Sequence, residues 1–103
     1  MRPDVRLSAP GLRVLKFLSE TPQVQRSGAD IARVAGVGSG TLYPLLARLE
    51  KAGWLTSEWE TVDPSEVGRP RRRFYKLSGI GQNNAARALA EVQTAPGVLA
   101  WTS

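Results

Sequence analysis

The residue types that do covalent or metal chemistry are missing from this chain. It has no cysteine and no histidine, which removes thiol nucleophiles, thiolate metal sites, disulfides and the commonest general base and metal ligand. The nine carboxylates include Glu58 and Glu60 on one face of an expected strand, but nothing else converges on them. The chain reads as non-enzymatic, without a cofactor or a metal. What remains chemically distinctive is cationic. Fourteen lysines and arginines against nine acids give a net charge of +5 and a pI near 10.5. Arg69, Arg71, Arg72, Arg73 and Lys76 crowd into one short run. A charge run by itself is an ordinary solvated face; held on a strand, it is suited to a polyanion.

A second set of residues can make directional contacts with such a partner. Ser39 to Trp54 (SGTLYPLLARLEKAGW) reads as a helix with Ser39 as N-cap and Gly53 as its left-handed stop. Leu42, Leu45, Leu46 and Leu49 form one apolar stripe at helical spacing. On the opposite face Gly40, Pro44 and Ala47 are small or compact, with Thr41, Tyr43, Arg48 and Lys51 around them. A face of low profile can approach a DNA groove and offer hydrogen bonds and apolar contacts to base edges while its cations reach phosphates. The plainer reading is a core helix packing on its leucines; both hold together. Pro44 removes one backbone donor and should distort the second turn.

These residues need elements to position them. At 103 residues, 42% of them apolar, the chain fits one small domain. It has no apolar run long enough to span a membrane, and its first residues, MRPDVRL, are not expected to act as a secretory signal. Met1 to Leu7 is expected to be frayed. A first helix is predicted over Ala9–Ser19, capped by Ser8 and turned inward by Leu12, Val14, Leu15 and Leu18. Glu20 to Arg26 is a loop broken at Pro22. Ser27 and Asp30 open a second helix with Ile31, Ala32, Val34 and Ala35 as contacts. Gly36 stops it, and Val37–Gly38 turns into the leucine-striped helix. Short helix, glycine turn and longer helix with a compact face make a helix-turn-helix.

Beyond Gly53 the period changes. Trp54 to Glu60 reads as a strand, Thr61 to Pro70 as a polar loop, and Arg71 to Leu77 as a second strand. Phe74 and Lys76 should face one way, and Arg73, Tyr75 and Leu77 the other. A hairpin of this kind after a helix-turn-helix is a wing, with its arginines set to grip phosphates or enter a minor groove. Trp54 and Trp59 are assigned to core and wing. Ser78 caps a last, slim helix with Ile80, Ala85, Ala88, Leu89 and Val92 as contacts, ended by Ala95–Pro96–Gly97. Such a helix either folds back on its own core or pairs with a second copy; pairing suits a small DNA reader that needs two half-sites. Val98 to Trp101 is an apolar tail.

The fold class expected is mainly α (α+β): a winged helix-turn-helix of three helices and a two-stranded wing over residues 1–77, then a dimerisation helix and tail over 78–103. Two motifs sharpen this. GTLYPLLARLEKAGWL, from Gly40 to Leu55, and GRPRRRFYKLSGIG, from Gly68 to Gly81, resemble the paired signatures of the PadR family of winged helix-turn-helix transcriptional regulators, in its compact form with one C-terminal helix. The resemblance implies a cytoplasmic, nucleoid-associated homodimeric repressor on a pseudo-palindromic operator of double-stranded DNA. Carried over, Ser39, Gly40, Thr41, Tyr43 and Pro44 enter the major groove, and Arg69, Arg71 and Arg72 meet backbone or minor groove. Arg48 and Lys51 are further DNA-contact candidates. No Asn, Gln or Arg stands at the start of the reading helix, so wing charge and DNA shape are expected to carry much of the affinity.

Compact members also suggest a small apolar or aromatic effector held between the two copies of the last helix. Val92, Leu99 and Trp101 are the candidates here. The competing expectation is that Trp101 packs on the first helix of the second copy. Two other readings stand beside the repressor: a winged-helix protein-interaction module presenting Trp59, and an architectural DNA binder with charge but no sequence readout.

Overall fold

The computed structural model describes residues 7–94, with side chains described as far as Glu91. The expectations for the first six residues, for the tail with Leu99 and Trp101, and for the side chain of Val92 lie outside the described residues.

The chain runs α1 (Ala9–Glu20), β1 (Arg26–Ser27), α2 (Gly28–Ala35), α3 (Ser39–Lys51), β2 (Leu55–Trp59), α4 (Pro64–Val67), β3 (Arg73–Leu77) and α5 (Gly79–Thr94). This is a mainly helical α+β winged helix. The three strands form one antiparallel sheet in the order β1-β3-β2. Leu55 lies opposite Leu77, Ser57 opposite Tyr75, and Trp59 opposite Arg73.

Local chemistry accounts for the helices. Pro10 sits in the first turn of α1, where its missing N–H costs no hydrogen bond. In α2 the Ser27 hydroxyl accepts from the Asp30 N–H at 3.1 Å, and Gly36 closes the helix in the left-handed region at φ 66°. α3 ends the same way. Gly53 (φ 84°) lets its own N–H reach the Glu50 carbonyl and the Trp54 N–H reach that of Leu49.

The core forms where the apolar faces meet. Leu15, Leu18, Ile31, Leu42, Leu46 and Leu49 are fully buried, each leucine contributing roughly 1.5–3 kcal/mol by leaving water. Trp54, Leu55, Tyr75 and Leu77 extend that core under the sheet. α5 packs on α1, with Ala85 fully buried. Its first turn presses on the joint between α3 and β2: a Cβ at Gly81 would fall 1.9 Å from the Trp54 carbonyl oxygen. The Ser78 hydroxyl donates to the Gly53 carbonyl and accepts from the Gly81 N–H, capping α5 as expected and fastening it to the same joint.

Several expectations need correction. Gly38, not Ser39, is the N-cap of α3; its carbonyl accepts from Thr41 and Leu42, leaving Ser39 as the first helical residue. Ser8 precedes α1 in extended conformation, but its side chain makes no cap bond. The stretch expected as a loop up to Arg26 ends in a strand, because β3 offers Arg26 and Ser27 its open edge. The loop between the wing strands contains one helical turn, α4, capped by Asp63 accepting from the Ser65 N–H. β3 begins at Arg73 rather than Arg71. Val34 and Ile80 were expected to face inward but are 51% and 59% exposed. Val34 lies about a quarter turn off the buried line of α2 through Gly28, Ile31 and Ala35, and Ile80 about a third of a turn off that of α5 through Gly81 and Ala85.

Among the described residues, no helix is long and apolar enough to cross a membrane.

Candidate nucleic-acid interface

Burial of the leucine stripe decides what α3 shows outward. With Leu42, Leu45, Leu46 and Leu49 inside, Ser39, Gly40, Thr41, Tyr43, Pro44, Ala47, Arg48 and Lys51 are all exposed. Pro44 lies inside the helix, so the Gly40 carbonyl loses its usual i+4 donor. A Cβ at Gly40 would meet nothing within 4 Å. The fold itself does not require glycine there, so the low profile faces outward only.

Tyr43 is the largest group on this face, and a residue outside α3 fixes its position. Its ring lies across the start of α2, where a Cβ at Gly28 would fall 2.6 Å from the tyrosine hydroxyl and 2.8 Å from the ring edge. Glycine at 28 therefore lets Tyr43 lie flat. The residue is 45% exposed.

The wing treats its arginines unequally. Arg69 donates to both oxygens of Glu60, at 2.7 and 3.0 Å. The Arg72 backbone N–H donates to the same carboxylate at 3.2 Å. The fork from Arg69 is the main reason the Glu60 carboxyl falls to about 2, against the opposing effect of partial burial. Arg69, a candidate DNA contact by sequence, is thus used to tie α4 and its flanking loops to the end of β2. Arg73 is also held: it donates to the Ser57 hydroxyl at 2.7 Å, stands 3.6 Å from Glu50 and lies 4.9 Å above the Trp59 ring. The Ser57 hydroxyl donates in turn to Glu50 at 2.5 Å. Glu50 belongs to α3 and the other three to the wing, so this cluster latches the wing to the reading helix. Arg71 gives one N–H to the Val62 carbonyl at 2.9 Å and keeps its remaining donors outward. The Arg72 side chain is exposed.

Between α3 and the wing lies a groove of about 510 Å³. Tyr43 and the start of α2 form one wall, Trp59 and the arginine run the other, with Tyr75 among its lining residues. Four arginines and no carboxylate line it. Tyr75 is 6% exposed, and burial raises its phenol pKa above the ordinary value. The groove presents flat rings and positive charge.

Sequence reasoning identified the exposed face and the exposed arginines. It did not find Gly28, the Glu50–Ser57–Arg73 latch or the placing of Trp59 on the groove. Each depends on residues brought together from separate elements, and no spacing in the chain signals them.

Three comparisons bear on this geometry. The model of the transcriptional regulator PadR-like family matches residues 14–87, from α1 into α5. No curated protein matches the chain. Among solved structures, smu.1704 of Streptococcus mutans UA159 is 28% identical, with 86% of this chain and 82% of that one aligned at a TM-score of 0.64. A PadR-like transcription factor from Bacteroides fragilis is 27% identical over 82% of each chain, also at 0.64. Reduced AbfR bound to DNA shares the fold at a TM-score of 0.66 and 23% identity, aligning with 94% of this chain and 64% of its own length. The family match spans most of the chain and both wall-forming elements of the groove, and it places this protein in the PadR-like family of transcriptional regulators, a non-enzymatic family.

Proposed function

We propose that this protein is a homodimeric repressor that binds a pseudo-palindromic operator in double-stranded DNA in the cytoplasm. The observation that carries the reading is the outer face of α3. It is exposed along its whole length, low at its N-terminal end, and flanked by a wing whose Arg71 and Arg72 point to solvent. That combination suits a helix entering the major groove while the neighbouring cations take phosphates. AbfR, which shares the fold, has been seen on DNA.

Ser39, Gly40, Thr41, Tyr43 and Pro44 then face base edges and the groove wall, with Arg48 and Lys51 toward the backbone. Because these residues offer few bidentate donors, DNA shape contributes much of the selectivity. Two copies supply the two half-sites, and the slim α5 with Ile80 exposed at its start is suited to pairing. An apolar effector between the paired C-terminal helices, touching Val92, Leu99 and Trp101, is the corresponding means of release.

Tyr43→Ala tests this reading by fluorescence anisotropy on operator duplex. A loss of about 10- to 100-fold, the scale of one good groove contact, is the expected result. Unchanged affinity would contradict it. Trp59, 57% exposed on the wing, favours the protein-interaction module as the second reading, in which Tyr43→Ala is silent.

A further inference from the structure

The groove between Tyr43 and the wing has the build of a small-molecule site. We propose that it binds a purine nucleotide, with the base against Tyr43 and Trp59 and the phosphate on Arg71 and Arg72, and that the occupied site excludes DNA. The exclusion rests on the DNA-binding reading; the nucleotide site itself does not.

The first argument is the shape and its support. The volume, about 510 Å³, falls within the range of roughly 300–1,000 Å³ typical of small-ligand sites. The Glu50–Ser57–Arg73 latch ties α3 to the wing, and glycine at 28 leaves room for the Tyr43 ring across the start of α2. The walls are therefore set before a ligand arrives, which lowers the ordering cost of binding.

The second argument is the flatness of the lining. Tyr43, Trp59 and Tyr75 all contribute to it. Trp59 is 57% exposed, although the Arg73 guanidinium lies 4.9 Å over its ring. A tryptophan held in place and left open to solvent is a ready stacking surface. Every base has a face to match it, and a purine has the largest.

The third argument is charge. Four arginines and no carboxylate line the groove. Arg69 is answered by Glu60 and Arg73 by Glu50. Arg71 gives one N–H to the Val62 carbonyl, and the Arg72 side chain is exposed, so among the described residues these two guanidiniums have no carboxylate partner. Guanidinium forks match phosphate oxygens, and a terminal phosphate carries about two negative charges near neutral pH. A single-ring aromatic carboxylate carries one charge and fills less of the space.

The consequence is regulatory. Tyr43 and Arg72 serve both this site and the proposed DNA contacts, so a nucleotide and a duplex cannot use them at once. Release by this route is direct exclusion. It needs nothing from α5 or from the candidate effector residues Val92, Leu99 and Trp101.

The test takes AMP as the probe, by titration calorimetry on the whole chain at fixed ionic strength. Adenosine and ribose 5-phosphate, each lacking half of the ligand, should bind at least about tenfold more weakly than AMP. Trp59→Ala and Arg72→Ala should each weaken AMP about tenfold, with unchanged circular dichroism spectra. In anisotropy on a selected duplex, AMP at about nine times its Kd should raise the duplex Kd about tenfold, as pure exclusion requires. Absence of an AMP isotherm, or AMP binding that neither variant weakens, overturns the site and leaves the DNA reading intact. Benzoate binding as tightly as AMP overturns the nucleotide assignment. AMP binding with no loss of duplex affinity overturns the exclusion. Failure of the wild type to bind any duplex overturns the DNA reading, while the AMP isotherm still decides the site.

Discussion

The outer face of α3 and the wing are both exposed and both basic, but they are built in opposite ways. The helix face is bare. Gly40, Thr41, Pro44 and Ala47 are short, and its side chains make no hydrogen bonds among themselves that would have to break on binding. The wing is internally tied, with Arg69 forked onto Glu60, Arg71 onto the Val62 carbonyl and Arg73 onto Ser57. The difference shows that a count of cations is not a count of contacts. Of the arginines in the run, Arg69 and Arg73 build the wing, and Arg71 and Arg72 stay exposed without a carboxylate partner. Under the proposed function, α3 would supply the shape and the wing the charge.

The largest expected effect removes the support common to both regions. Gly81→Ala drives a Cβ into the Trp54 carbonyl at the α3–β2 joint. Backbone must move to relieve it, so the variant should lose more than about 2 kcal/mol, or roughly 10 °C in melting temperature. A melting curve that matches wild type would show that α5 does not brace the joint.

The next separates the two classes of wing arginine. Arg71→Ala with Arg72→Ala should weaken binding on every DNA sequence and reduce the slope of log K against log salt by about two, near one per phosphate contact. Arg69→Ala should leave that slope unchanged while loosening the loops around α4, visible as faster amide exchange. Equal slopes for the double variant and for Arg69→Ala would erase the distinction.

A smaller effect is expected from Gly28→Ala. The new methyl displaces the Tyr43 ring, the end of a side chain that has solvent to move into. Operator affinity should fall several-fold while stability changes by less than about 1 kcal/mol. A stability loss without an affinity loss would mean that Tyr43 is packing rather than contact.

The smallest concerns acid. Glu60 has its carboxyl lowered from 4.5 to about 2 in the folded protein. A lowered folded pKa stabilises at pH values above the unfolded one and loses that contribution as pH falls from about 4.5 toward 2. Unfolding of Glu60→Gln should differ from wild type by a constant amount above that window and converge with it below. The pair is at the surface, so the difference is small.

What the sequence made legible is what local spacing encodes. The leucines of α3 recur at helical intervals, and Gly53 stops the helix in the left-handed region; both can be read without knowing what surrounds them. The exposed face followed directly, since fixing the buried stripe fixes its opposite. The rest depended on partners distant in the chain. β1 is two residues long and carries no period of its own; it is a strand because β3 lies beside it. The roles of Arg69 and Arg73 come from carboxylates on other elements. Ser39 looks like a cap, but the chain enters α3 one residue earlier, at Gly38. Gly28 and Gly81 matter through what a Cβ would strike, which only the folded arrangement reveals.

The most direct test of the central claim is selection from randomised double-stranded DNA at moderate salt, followed by sequencing of the bound pool. The account predicts an inverted repeat with half-site centres about 10–11 base pairs, or one helical turn, apart. A pool without enriched sequence, bound with steep salt dependence, would contradict it: the wing would then supply charge, and the face of α3 would read nothing.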